Sequence, residues 1–199
     1  FVFSSTCALY GDTKQVPTPE DVLPNPNSPY GLQKLFVEDY IRIASKLHGT
    51  DAVSLTYFNV YGPGQHGGSA YATAITAWCH AVKSGLPLRS DGDGEQTRSF
   101  LYIDEAIEAT YRLVQSDFTG PVNIGSEEMV SINELSKIVS EVAGKVITKK
   151  HKLDGPLGVK ARNSNNNLIR EKLDWDYTMP LREGISKTYK WISEQVNKK

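Results

Sequence analysis

Apolar and polar positions along this chain switch between a period of two and a period near 3.6, and the switches mark out its elements. Phe1 to Thr6 is apolar and then hydroxyl-rich, which predicts a buried strand ending in a functional turn. Between residues 11 and 29, five prolines (Pro17, Pro19, Pro24, Pro26 and Pro29) with Gly11 and Asn25 exclude any long regular element. From about Tyr30 to Leu47, Leu32, Leu35, Phe36, Tyr40, Ile41, Ala44 and Leu47 recur at helical spacing, with Gly49 as the stop. Ala52 to Val60 is strand-like and is broken by Tyr61-Gly62-Pro63-Gly64. Strand, helix and strand in this order predict a βαβ unit and hence a parallel sheet.

The pattern then changes. Ser69 to Lys83 reads as a helix, Leu86 to Ser90 as an extended piece, and Asp91-Gly92-Asp93-Gly94 as a turn. Arg98 to Tyr102 is extended, and Asp104 to Ser116 is helical with Ala106, Ile107, Leu113 and Val114 expected on one side. Pro121 to Ile124 is a short strand. Ser131 and Glu134 have capping-box spacing ahead of a helix running to Ala143. A short helix around Leu168 to Lys172 and an amphipathic one from Leu181 to Val196 complete the chain. The expected division is a sheet-based part, 1–62, to which later elements return, and a mixed α/β part, 63–199.

Composition narrows the function classes. Lys plus Arg number 22 against 23 Asp plus Glu, a net charge of -1, so nothing favours nucleic acid or an anionic membrane surface electrostatically. No apolar run approaches a membrane span, and no signal peptide is recognisable at the start. Two cysteines, Cys7 and Cys79, cannot staple a secreted scaffold, which points to a reducing, cytoplasmic compartment. No spacing of Cys79, His48, His80 or His151 suggests a metal site.

The sharpest chemistry lies in Tyr30-Gly31-Leu32-Gln33-Lys34, downstream of Ser5-Thr6. Positions i and i+4 share a helix face, so phenol and ammonium point the same way. A free tyrosine, with a pKa of about 10, is a poor base at neutral pH. A fixed positive charge beside it favours the phenolate, and a strand-end hydroxyl could bind the same substrate oxygen. Such a set moves a proton on a hydroxyl while a cofactor takes the hydride. A bare Tyr-x-x-x-Lys also arises by chance, with the ring merely packed and the lysine solvated.

The surrounding order carries more weight. SSTCALYG, SPYGLQK, YFNVYGPG and GDGEQTRSFLYIDE resemble successive signatures of the extended short-chain dehydrogenase/reductases, the NAD-dependent epimerase/dehydratase family acting on nucleotide sugars. PVNIGSEEMVSINELSKIV and GPLGVKARNSNNNLIREKLDW are most similar to its GDP-mannose 3,5-epimerase branch. The resemblance spans essentially the whole chain. It implies an α/β fold, the C-terminal part of a Rossmann-type doubly wound parallel sheet plus a smaller mixed α/β substrate-binding domain. It further implies NAD as cofactor, a nucleotide-sugar substrate, and a homodimer paired through the helix bearing Tyr30 and Lys34. Leu35, Phe36, Ile41 and Ile43 are compatible with that pairing.

Residue by residue, the resemblance makes Tyr30 the catalytic tyrosine and Lys34 its partner and a contact of the nicotinamide ribose. Thr6 matches the hydroxyl residue of 4-epimerases when Tyr10-Gly11 is the anchor. The segment from Cys7 to Tyr10 is one residue longer than in the plant 3,5-epimerase pattern, so Ser5 and Thr6 compete for that role. The Asp-Glu pair that follows the hydroxyl in 4,6-dehydratases is replaced by Cys7-Ala8, which argues against water elimination. In the 3,5-epimerase branch, Cys7 would exchange a proton on one sugar face and His66 on the other. Against this stand a thiol that merely fills space and a histidine in a glycine-rich loop. Asn59, at the end of its strand, would contact substrate, Arg98 and Arg162 would clamp the diphosphate, and Asn165 would lie near the ribose.

Two readings compete with a 3,5-epimerase. One is a 4-epimerase of UDP-sugars. The other is a non-catalytic sugar-nucleotide-binding module, since the glycine-rich dinucleotide loop of the family is not found in these 199 residues. The start at Phe1 leads to the expectation of a longer enzyme entered at a central strand, lacking on the order of a hundred residues of its first mononucleotide half. Such a chain would not turn over alone.

Overall fold

The computed structural model describes residues 1–66, 73–154 and 158–196. Strand β1 (Val2–Thr6) runs into a 3-10 turn at Cys7–Tyr10, and helix α1 spans Pro29–His48. Ser28 caps α1 by accepting a hydrogen bond from Gly31 N, Pro29 occupies its first turn, and Gly49 ends it in the left-handed conformation. Strand β2 (Val53–Tyr57) pairs with β1, and β7 (Gly120–Ile124) pairs with β2, giving a parallel β1-β2-β7 sheet. Ser5, Thr56 and Asn123 are register partners, so they form one polar row on a single face of the sheet.

The two faces of this sheet are chemically different. Val53, Leu55, Val122 and Ile124 face Ala106, Ala109 and Leu113 of α3 (Ile103–Val114) and Ile169 of α5 (Asn167–Leu173), forming one apolar core. On the other face, Ser54 and Thr56 share a cavity with Leu35, Glu38 and Ile41 of α1. The proline-rich segment 11–28 closes over that side. It is held by Asn25 N to Leu9 O, Thr18 N to Asn163 O, and the Asn123 amide donating to Thr18 O at 2.9 Å.

A second core gathers α2 (Ala74–Lys83), α4 (Ile132–Ala143) and α6 (Leu181–Val196). Trp78, Leu135, Val139, Ile185 and Ile192 meet there with Tyr61, Phe100 and Tyr102, and each fully buried aliphatic side chain contributes about 1.5–3 kcal/mol. The capping box at Ser131 and Glu134 forms as its spacing predicted, and holds the Glu134 carboxyl below the usual carboxylate range through hydrogen bonds from Ser131. Short strands surround this core: β3 (Val60–Tyr61) with β6 (Leu101–Tyr102), β4 (Leu88–Asp91) with β9 (Lys149–Lys152), and β10 (Ala161–Arg162) with β5 (Thr97–Ser99) and β8 (Met129–Ser131).

Several sequence expectations need correction. The strand expected to reach Val60 stops at Tyr57, because Asn59 turns the chain with a left-handed φ of 46°. On α3 the buried positions are Ala106, Ala109 and Leu113, while Ile107 and Val114 face outward, one residue round the helix from the core stripe. The apolar residues of α1 mostly point away from the sheet: Leu32, Phe36, Tyr40 and Leu47 are exposed. Helix α2 begins at Ala74, and the expected start at Ser69 falls outside the described residues.

Candidate active site

A cleft of about 930 Å³ opens at the C-terminal end of β1. Open parallel α/β sheets bind ligands at such strand ends. Ser4, Ser5, Thr6, Cys7 and Ala8 form its floor, Tyr30 and Lys34 one wall, Asn59 and Arg162 its inner end, and Ile107 and Tyr111 of α3 the opposite wall. The first turn of α1 is seated by Gly31, where a Cβ would stand 2.6 Å from Ala8 O. Only a glycine lets the helix approach the 3-10 turn this closely, and the approach sets where Tyr30 and Lys34 sit relative to Cys7.

Lys34 is fixed in place. Its Nζ donates to Ser4 O at 2.7 Å, lies 4.9 Å from the Phe3 ring centroid, and is 5.9 Å from that of Tyr30. The phenol of Tyr30 is half-exposed toward the cleft. Thr6 Oγ1 accepts from Ala8 N at 3.2 Å, which leaves its own O–H free to donate. Ser5 is buried, and its hydroxyl has no aligned partner among the described residues.

Cys7 is buried, and burial pushes its thiol up, opposed by the Arg162 guanidinium, the Asn59 backbone and Arg98. Burial thus favours the neutral thiol, and a thiolate formed there would meet cationic neighbours. Cys79, buried in the second core with its thiol pushed up to about 12, has no such surroundings. Arg98 and Arg162 are register partners on β5 and β10. Burial and the neighbouring Arg162 charge both lower the Arg98 pKa, and Arg98 Nη1 donates to Thr97 O at 2.7 Å. Two guanidiniums side by side suit an anion with several oxygens, such as a diphosphate.

The cleft brings together Ser5, Thr6, Cys7, Tyr30, Lys34, Asn59 and Arg162. Arg98 stands behind Arg162 rather than in the lining. The Asn59 amide nitrogen already donates to Ser99 O at 2.8 Å. Asn165 lies elsewhere: its Oδ1 accepts from Asn167 N at 2.9 Å at the start of α5, and its N–H donates to Thr18 O. This is an Asx-turn leading into α5, whose N-cap is Asn166, and Asn165 is not among the residues lining the cleft. His66 is exposed, outside the lining, at the edge of 67–72, which are not described. Among the described residues, no group of three His, Cys, Asp or Glu could hold a metal, and no helix is long and apolar enough to cross a membrane.

Sequence reasoning missed the α3 wall. Ile107 and Tyr111 stand at i, i+4 spacing on the side of α3 away from its core stripe, the one signal that could have found them. The wall and the ammonium together fit the nicotinamide end of an NAD: an apolar surface for a ring, with Lys34 and Tyr30 for ribose hydroxyls.

Comparison with known proteins agrees with this geometry. The chain is 40% identical over 206 residues to GDP-mannose 3,5-epimerase of Arabidopsis thaliana, covering 100% of this chain and 54% of that protein. It superposes with a TM-score of 0.93 and 32% identity on UDP-N-acetylglucosamine 4-epimerase from Methanobrevibacter ruminantium in complex with UDP-N-acetylmuramic acid, over 98% of this chain and 63% of that one. UDP-glucuronic acid 4-epimerase from Bacillus cereus, in complex with UDP-glucuronic acid and NAD, matches with a TM-score of 0.91 and 30% identity over 98% and 62%. The chain thus spans about half the length of the curated relatives it matches. Its Rossmann-type parallel architecture is that of the nucleotide-sugar epimerases. With residues 1–125 matching the family model, the chain belongs to the NAD dependent epimerase/dehydratase family.

Proposed function

We propose that this chain carries the proton-transfer and substrate-binding residues of an NAD-dependent nucleotide-sugar epimerase that inverts carbons 3 and 5 of GDP-mannose through a 4-keto intermediate. One observation supports it above the others: the fixed Tyr30–Lys34 pair shares a single cleft with Thr6, Cys7 and the guanidinium of Arg162. NAD, when bound, supplies hydride acceptance and return at carbon 4. Lys34 and Tyr30 would hold its nicotinamide ribose.

The chain's own groups do the rest. Arg162 and Arg98 bind the diphosphate and orient the hexose over the end of β1. Tyr30, acting as phenolate, takes the proton from the 4-hydroxyl and becomes the neutral phenol, and the Lys34 ammonium opposes the phenolate's negative charge before the transfer. Thr6 donates to the same substrate oxygen and stabilises it as a ketone. The ketone makes the adjacent C–H bonds acidic, and Cys7 exchanges a proton on one face of the ring. His66, on the loop beyond Gly64, is assigned the opposite face. The outward stripe Leu32, Phe36, Tyr40, Ile43 and Leu47 on α1, spaced four, four, three and four apart, supports a homodimer through this helix. Both cysteines are free and buried, which suits a cytoplasmic enzyme.

A second reading, 4-epimerisation of a UDP-sugar, is favoured by the Thr6 O–H left free beside Tyr30. In that reaction Cys7 only fills space. Cys7→Ala separates the two. Loss of carbon-5 inversion with a folded, nucleotide-binding protein supports the 3,5-epimerase, and full turnover of the same variant removes Cys7 from the mechanism. Binding without any turnover of the holoenzyme would favour a non-catalytic module.

A further inference from the structure

Behind the floor of the cleft lies a second cavity of about 450 Å³, between α1 and the polar face of the β1-β2-β7 sheet. Glu38 lines it, one turn beyond Lys34 and two beyond Tyr30, on the same helix face. Ser5 forms the partition, since it lines the active-site cleft while sharing a register row with Thr56, which lines the second cavity. Ser5 Oγ, Thr56 Oγ1 and Glu38 Oε1 are all buried without an aligned partner among the described residues. The Ser5 hydroxyl faces the Glu38 carboxyl closely enough to stabilise its charged form. Buried polar atoms left unmatched in this way are uncommon, and three converging on one spot call for a functional reason.

We propose that Glu38 is a positioning residue of the active site: its carboxylate accepts the Ser5 O–H, so that Ser5 presents lone pairs to the cleft while Thr6 presents its O–H. The two hydroxyls then have opposite polarity. Together they match a substrate oxygen that alternates between a hydroxyl, which donates to Ser5, and a ketone, which accepts from Thr6. This rests on the epimerase reading for the substrate, and on the Ser5–Glu38 geometry for the residue.

Burial raises the Glu38 pKa above the usual carboxylate range, with Asp39 adding to it and Ser5 opposing. When pH falls through that raised value the neutral acid donates to Ser5 instead, and the serine hydroxyl turns around. The charged or titratable groups that line the cavity with the carboxyl are Asp39, Arg42 and Lys46 of α1, Tyr10 of the 3-10 turn, and Glu20 of the proline-rich segment, while Lys34, one turn earlier on α1, is engaged with Ser4 O. Among the described residues, the strands facing it contribute no charged side chain: Ser54, Thr56, Gly120 and Pro121 line the cavity, and Ser5 adjoins Thr56 in the register.

The test compares Glu38→Gln and Glu38→Ala with the parent holoenzyme, measuring kcat and KM against pH. A glutamine oxygen still accepts from Ser5 and does not titrate. Glu38→Gln should therefore keep kcat at neutral pH within about threefold and lose one acidic limb of the profile. Glu38→Ala should lower kcat about tenfold with KM nearly unchanged, the loss of one hydrogen bond that orients Ser5. An unchanged acidic limb in Glu38→Gln overturns the proposal even if the enzyme is a 3,5-epimerase. If no nucleotide sugar is turned over, the carbon-13 titration of the Glu38 carboxyl in this chain decides alone. A raised midpoint that moves on Ser5→Ala supports the contact, and an ordinary midpoint indifferent to Ser5→Ala overturns it.

Discussion

Gly31→Ala probes the joint between the catalytic helix and the turn that carries Cys7. The added Cβ would lie 2.6 Å from Ala8 O, 3.1 Å from Ala8 C and 3.1 Å from Pro26 Cβ. Real Cβ contacts essentially never fall below 3.0 Å, and the nearest obstacle is backbone, so α1 must withdraw by about 0.4–0.8 Å. Overpacking of this kind costs about 1–3 kcal/mol, and each kcal/mol lowers Tm by about 2–4 °C in a domain of this size. The helix carries Tyr30 and Lys34 with it, and a misplacement approaching 1 Å costs up to about a hundredfold in rate. Urea and thermal denaturation measure the first effect, and kcat at saturating substrate the second. The reasoning is refuted if Gly31→Ala matches the parent in both Tm and kcat.

Two further outcomes follow from the charges. Arg162→Ala should weaken GDP binding about 10–100-fold in a calorimetric titration, since charge-assisted hydrogen bonds contribute about 1.5–3 kcal/mol, and unchanged affinity would remove the arginine pair from the nucleotide site. Glu38 has a folded-state pKa raised by burial, so the stability linked to it is complete below the unfolded pKa and is lost as pH rises through the folded one. Glu38→Gln should therefore raise Tm relative to the parent at pH near 8 and not near 4, and an equal shift at both would contradict the burial argument.

Long periodic segments were the legible part of the fold. Helices α1 and α4 carry their own start and stop signals, such as Ser28 with Pro29 ahead of α1 and the Ser131–Glu134 box ahead of α4, and α6 shows by its amphipathic period alone. The strands β8, β9 and β10 were not legible, because a run such as Lys149–Lys152 has no apolar alternation and exists only by pairing with β4. Apolar period alone could not say which side of α1 meets the sheet: Leu35 packs inward while Phe36 and Tyr40 point out. In the site, Tyr30, Lys34, Cys7 and Thr6 were visible through spacing and family order. The engagement of Asn165 with α5 and of Asn59 with Ser99 was not, since an amide's partner depends on which distant backbone the fold brings near. Nor was the Ser5–Glu38 pairing, which needs the helix laid across the strand.

The most direct measurement follows GDP-mannose by NMR in deuterated water with the holoenzyme and NAD. Epimerisation at carbons 3 and 5 by thiol and imidazole predicts deuterium entering both positions and new hexose signals, all abolished by Tyr30→Phe while GDP still binds. Retention of protium at both carbons, or turnover that survives Tyr30→Phe, would contradict it.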